Sequence, residues 1–221
     1  MFIRNLSSSD PQPPGDGLSG LEGVPLPFVL ERHLEAAVAG AGGSPEWRHR
    51  KSAEAHDILA LSRLAPNRIR VDQLDLSENL RVVINMRAPV PTRRHGSDEL
   101  VIATEVLFGL QYRREALLTP QPGASFVQIL APSGIFLPQV PANPPSCLCL
   151  APVLPPGIRC KELLLLTYYA LTMQTFQIDV GDPHGVFNGE AASWWQENAK
   201  RIPLTREPFL QRRSAPKEDG S

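Results

Sequence analysis

Between Ser44 and Ala65 the apolar residues Trp47, Ala55, Ile58, Leu61 and Ala65 recur at roughly helical spacing. Ser44-Pro45 ahead of them reads as an N-cap followed by a proline at the first helical position, and Pro66-Asn67 as a stop, so the pattern predicts a helix here. From Ile69 the period changes to two. Leu80, Val82, Ile84 and Met86 fall on one side of a strand, with Arg81, Asn85 and Arg87 largely on the other. After the turn-forming stretch TRRHGS, the alternating set Leu100, Ile102, Thr104, Val106, Phe108 and Leu110 predicts a second long strand, and Phe126 to Leu130 a shorter third. With Ile69 to Val71 ahead of them, these make a four-stranded antiparallel meander with one buried face.

The next segment, IFLPQVPANPPSCLCLAPVLPPGIRC, changes character. Each proline lacks an N–H and restrains the residue before it, so the segment cannot form a regular ladder and is expected to be a long shaped loop. Long loops inside a compact domain usually serve function, which makes this one a candidate site. Lys161 to Gln174 (KELLLLTYYALTMQ) predicts a strongly apolar helix, and Asn188 the cap of a last helix through Ala191, Ala192, Trp195 and Ala199. The order is helix, meander, loop, helix, helix, an α+β arrangement.

The flanks differ from this body. Residues 1–43 are rich in Ser, Pro and Gly and read as a flexible arm, broken by PFVLERHLEAAVAG, a short helix of low stability. Residues 44–210 form the expected domain, and 211–221 a polar tail. At 221 residues, 42% hydrophobic and 20% charged, the chain suits one soluble core. A formal charge of -1 gives no global attraction to nucleic acid or anionic lipid, and the clusters Arg93-Arg94 and Arg212-Arg213 are too small for a nucleic-acid footprint. MFIRNLSSSD has no signal-peptide h-region, and no run approaches the length of a membrane span, so a cytoplasmic location is expected.

All three cysteines, Cys147, Cys149 and Cys160, lie in or at the end of the proline-rich segment. An odd number argues against a disulfide framework, leaving a reactive, metal-binding or buried thiol. Cys160, at the start of an apolar helix, reads as a packing residue. With His184 the three cysteines could supply four zinc ligands, but the spacing lacks a Cys-x-x-Cys knuckle, and neither metal nor cofactor is expected. In Tyr168-Tyr169 and Trp194-Trp195 adjacent residues point in different directions on a helix, so one of each pair is expected in the core.

The order of elements, together with Ile135-Phe136-Leu137-Pro138-Gln139-Val140, then Leu148-Cys149-Leu150, then LPPGIRCKELL and GDPHGVFNGEAASWWQENAKRIPLTREPFL, resembles the ubiquitin-conjugating enzymes, and particularly their bacterial relatives. The likeness spans about Pro45 to Leu210. It implies a ubiquitin-conjugating-enzyme-like fold and an enzyme that accepts a ubiquitin-like protein from an activating enzyme as a cysteine thioester, then passes it to an amine of a protein substrate. Cysteine suits that chemistry because its thiolate is nucleophilic and its acyl bond is open to amines.

The resemblance implies Cys149 as the carrier, with Cys147 the alternative because it fits the family's usual interval from the asparagine-like position. It implies Gln139 as a donor to the oxyanion and Asp182, or less directly Asp179, as the acid that orients the incoming amine. The bland reading of Asp182 is an Asp-Pro turn. Two departures stand out: Leu137 and Gln139 replace the family's histidine and asparagine. They leave open a second class, a silent variant of the same fold that binds a ubiquitin-like protein or a conjugation partner without reacting. The resemblance also implies that the activating enzyme touches the exposed side of Arg48 to Arg63.

Overall fold

In the computed structural model, residues 26, 28–94, 97, 99–175 and 186–210 are described. Four helices, α1 (Phe28–Ala39), α2 (Pro45–Leu64), α3 (Cys160–Leu171) and α4 (Gly189–Glu197), accompany five strands, β1 (Ile69–Asp75), β2 (Leu80–Arg93), β3 (Leu100–Tyr112), β4 (Val127–Ala131) and β5 (Cys147–Leu148). The strands form one antiparallel sheet in chain order, β1-β2-β3-β4-β5.

The predicted helix starts where its cap chemistry puts it: the Ser44 hydroxyl accepts from the Trp47 N–H at 3.3 Å, with Pro45 at the first turn. Trp47, Ala55, Ile58, Leu61 and Ala65 are all buried. Asn188 caps α4 in the same way, its side chain accepting from Ala191 N–H at 3.0 Å. Along β2 the even positions from Leu80 to Met86 face the core, and their cross-strand partners Tyr112, Leu110, Phe108 and Val106 are buried with them. Val127, Ile129 and Leu148 extend this apolar face across β4 and β5, and α2 and α3 cover it.

Two expectations need correction. The sheet has five strands, not four. The six residues 146–151 lie between Pro145 and Pro152, keep every N–H, and so can pair where their neighbours cannot; Cys147 and Leu148 align with Gln128 and Val127 of β4. The alternating set of the second long strand is buried only from Val106 onward. A register shift between Arg87 and Val90 sets off the hairpin tip, where Val101 and Ile102 are exposed. The short helix expected within residues 1–43 is present as α1, and Leu34 on it and the following Ala41 lie among the core residues.

The proline-rich segment is held from both sides. Phe136 donates its N–H to the Pro91 carbonyl at 2.8 Å, and Trp195 of α4, fully buried, donates its indole N–H to the Phe136 carbonyl at 2.8 Å. The Phe187 and Asn188 N–H groups both reach the Pro138 carbonyl, at 2.8 and 3.0 Å. No helix of the described residues is long and apolar enough to cross a membrane.

Candidate functional site

Between Ile135 and Cys160 the chain is pinned by its own backbone. Leu137 and Val140 are buried, and the Gln139 carbonyl accepts the Cys149 N–H at 3.0 Å, tying the two halves of the segment together. The Ile129 N–H reaches the Ser146 carbonyl at 2.9 Å, and the Gly123 N–H reaches the Ala151 carbonyl at 3.1 Å. That second approach requires glycine, because a Cβ at Gly123 would lie 2.2 Å from the same carbonyl oxygen. At the end of the segment, Gly157 turns with φ +75° and the Ile158 carbonyl accepts the buried Tyr112 hydroxyl at 2.7 Å.

These constraints give the three thiols different surroundings. Cys160 is fully enclosed, and burial beside Glu54 pushes its thiol well above the ordinary range. Cys149 is only 5% exposed; its Sγ donates to the Ala151 carbonyl at 3.3 Å, and burial raises its thiol as well. A neutral, sealed thiol is a poor nucleophile. Cys147, half-buried, lies at the sheet edge and lines an open groove of about 960 Å³ on the face of the sheet away from the core. Leu148, between the pair, is fully buried and anchors the edge.

The resemblance put Cys149 outward with Cys147 as its alternative; the structure exposes Cys147 and encloses Cys149. Gln139 is also enclosed, its Oε1 has no hydrogen-bond partner, and no hydrogen bond among the described residues joins its carboxamide to either thiol. Asp182, Asp179 and His184 lie outside the described residues. Among the described residues no three His, Cys, Asp or Glu side chains are grouped to hold a metal ion.

Comparison with known proteins returns nothing: no family model, curated protein or solved structure matches this chain.

Two buried charge systems on α2 went unseen in the sequence. Glu54, fully enclosed, forms ion pairs through Oε1 with Arg50 Nε at 2.8 Å and Arg159 Nε at 2.6 Å, while its Oε2 accepts the Cys160 backbone N–H at 2.7 Å. Asp57 receives Arg159 at 3.0 Å and Lys161 at 3.5 Å. Together they bolt the start of α3 to α2. Lys51, also fully enclosed, donates to the carbonyls of Gly42, Leu76, Ser77 and Glu78 and faces the Trp47 ring at 5.7 Å. The signal was present: Lys51, Glu54 and Ile58 follow Trp47 by four, seven and eleven residues, so the two charges occupy core-facing positions of the helix. Exposure on α2 is accordingly confined to residues such as Arg48, His49 and Arg63.

Accessibility sets a first expected outcome. Treating the native protein with a small alkylating reagent near neutral pH, followed by mass-spectrometric peptide mapping, should label Cys147 first. Cys149 should react at least ~10-fold more slowly, and Cys160 only after unfolding, because both thiols must ionise and be uncovered. Equal labelling of Cys147 and Cys149 would mean that the loop opens freely.

Proposed function

We propose that the protein is a conjugating-type thioester carrier with Cys147 as its acceptor thiol, working in the cytoplasm on a fold of the ubiquitin-conjugating kind. The observation that carries this reading is the placement of one reachable thiol. Cys147 is the half-exposed member of the three, fixed at the rigid edge of the sheet by its pairing with Gln128 and facing open space. A strand edge suits a carrier, because the sulfur is presented in one orientation with little entropy left to lose.

The chemistry is an exchange between thioesters. Cys147 loses its proton to solvent, and its sulfur attacks the acyl carbonyl of the ubiquitin-like protein held on the activating enzyme. The new S–C bond forms as the old one breaks, and the activating enzyme's cysteine leaves as a thiol. A substrate amine then attacks the Cys147 thioester, forming an amide and returning the free thiol. Gln139 supports this site through its backbone bond to Cys149.

A second reading is favoured by the same loop. Leu137 and Gln139, which replace the family's histidine and asparagine, are both enclosed, which suits a fold that binds a ubiquitin-like protein without reacting. Incubation with an activating enzyme, its ubiquitin-like partner and ATP, read on non-reducing gels, separates the two. The carrier yields an adduct that disappears on adding thiol, persists in Cys149→Ala and is lost in Cys147→Ala. Loss in Cys149→Ala with retention in Cys147→Ala would return the role to Cys149. Absence of any adduct with stable complex formation would establish the binding module.

A further inference from the structure

The groove beside Cys147 has a floor that packing alone does not explain. Pairing aligns Gln73 with Val83, Val83 with Gly109, Gly109 with Gln128, and Gln128 with Cys147, so one row runs across all five strands and ends at the thiol. These residues all line the groove. Gly109 sits in the interior of β3, paired on both sides, where glycine weakens a strand and gives no side chain to the sheet surface. A Cβ added there would meet nothing within 4 Å, so neither a close contact nor a positive φ demands the glycine. Such a bare spot in a strand marks a place where another backbone comes close.

The walls have chemistry of their own. Gln128 next to the bare spot and Gln73 beyond Val83 in the same row carry carboxamides, which can donate to and accept from peptide groups. Arg81 and Arg113 line the same groove. The one carboxylate in that lining, Asp75, accepts the Ser77 N–H at 2.8 Å and lies opposite Arg81 across the β1–β2 pair; it stays ionised, and two arginines against one carboxylate leave the lining net positive.

We infer that this groove binds the extended C-terminal tail of the carried protein, crossing the sheet over Gly109 with its terminal carbonyl at Cys147. The inference rests on the carrier reading and adds the substrate's shape. Neighbouring strands are ~4.8 Å apart, so Gly109 lies about 10 Å from the thiol, or about three extended residues upstream of the acyl carbon. The tail residue there must be small, and acidic residues further upstream suit Arg81 and Arg113.

The probe is fluorescein-labelled Glu-Glu-Ser-Gly-Gly-Gly, used as its C-terminal benzyl thioester and as the free acid. With the thioester, the Cys147 sulfur bonds to the carbonyl carbon and benzyl thiol leaves with the proton. Gly109→Val introduces a side chain into free space, so melting is expected unchanged or higher. Alkylation of Cys147 by iodoacetamide should change less than ~2-fold, whereas acylation by the peptide thioester should fall ~10-fold or more, together with free-acid binding measured by anisotropy. Equal acylation and binding in Gly109→Val and the wild type would overturn the inference, as would a failure of the wild type to bind the free acid. The carrier reading fails separately: Gly109-dependent binding of the free acid, with no adduct formed from the activating enzyme, would leave the groove standing and remove the covalent step.

Discussion

Glu54→Ala is expected to lower the folding free energy by about 3–5 kcal/mol, because it strips the partner from buried charge. One carboxylate, fully enclosed, holds two guanidiniums and a backbone N–H. Without it, Arg50 and Arg159 point into a site shaped for an anion and the Cys160 N–H loses its acceptor at the first turn of α3. Arg50 retains the Gly157 carbonyl at 2.9 Å, and Arg159 retains Asp57, so the local structure loosens rather than empties. Urea unfolding at unchanged m-value measures the loss, and thermal melting should fall by roughly 6–20 °C for a chain of this size. A loss below ~1 kcal/mol would place the network in the class of solvated surface pairs and refute its role as the bolt between α2 and α3.

Lys51→Met is the second large effect, expected at about 2–4 kcal/mol. Methionine retains the apolar stem but removes the ammonium that gathers four carbonyls. Two of those have other donors: the Ser77 carbonyl accepts the Gly42 N–H at 2.6 Å, and the Glu78 carbonyl accepts the Trp47 indole at 2.9 Å. The Gly42 and Leu76 carbonyls depend on Lys51 among the described residues. The loss is therefore local before it is global. Hydrogen exchange should speed up first around residues 40–47 and the β1–β2 turn, while β3 retains its protection. Uniform acceleration across the sheet would show instead that Lys51 holds the whole domain together. Gly42 shares the tightness, since a Cβ there would come within 2.6 Å of the Ser77 carbonyl.

Local chemistry made much of this architecture legible. Ser44-Pro45 and Asn188 are capping signals that act within three residues, and both start helices as expected. The period-two run from Leu80 to Met86 can bury one face only as a strand, and it does. The fifth strand was hidden because it is two residues long, framed by prolines whose influence dominates any pattern read around them. Lys51 and Glu54 were passed over for a related reason: periodicity reads apolar positions, and a charge at a core position registers as a gap unless its partners are known. Those partners, the carbonyls of the β1–β2 turn and Arg159 a hundred residues away, are brought near only by the fold.

For the site, the sequence by itself determined that all three thiols fall in or beside a proline-braced segment ahead of an apolar helix, because proline and hydrophobic spacing act along the chain. It also determined the helices after Ser44 and Asn188 and the first four strands, but not the short fifth strand at Cys147–Leu148. Which sulfur faces solvent was decided only by tertiary structure. Exposure depends on what packs across space: Gln139 and Ala151 close over Cys149, α2 and α3 enclose Cys160, and pairing with β4 turns Cys147 outward beside the bare surface of Gly109.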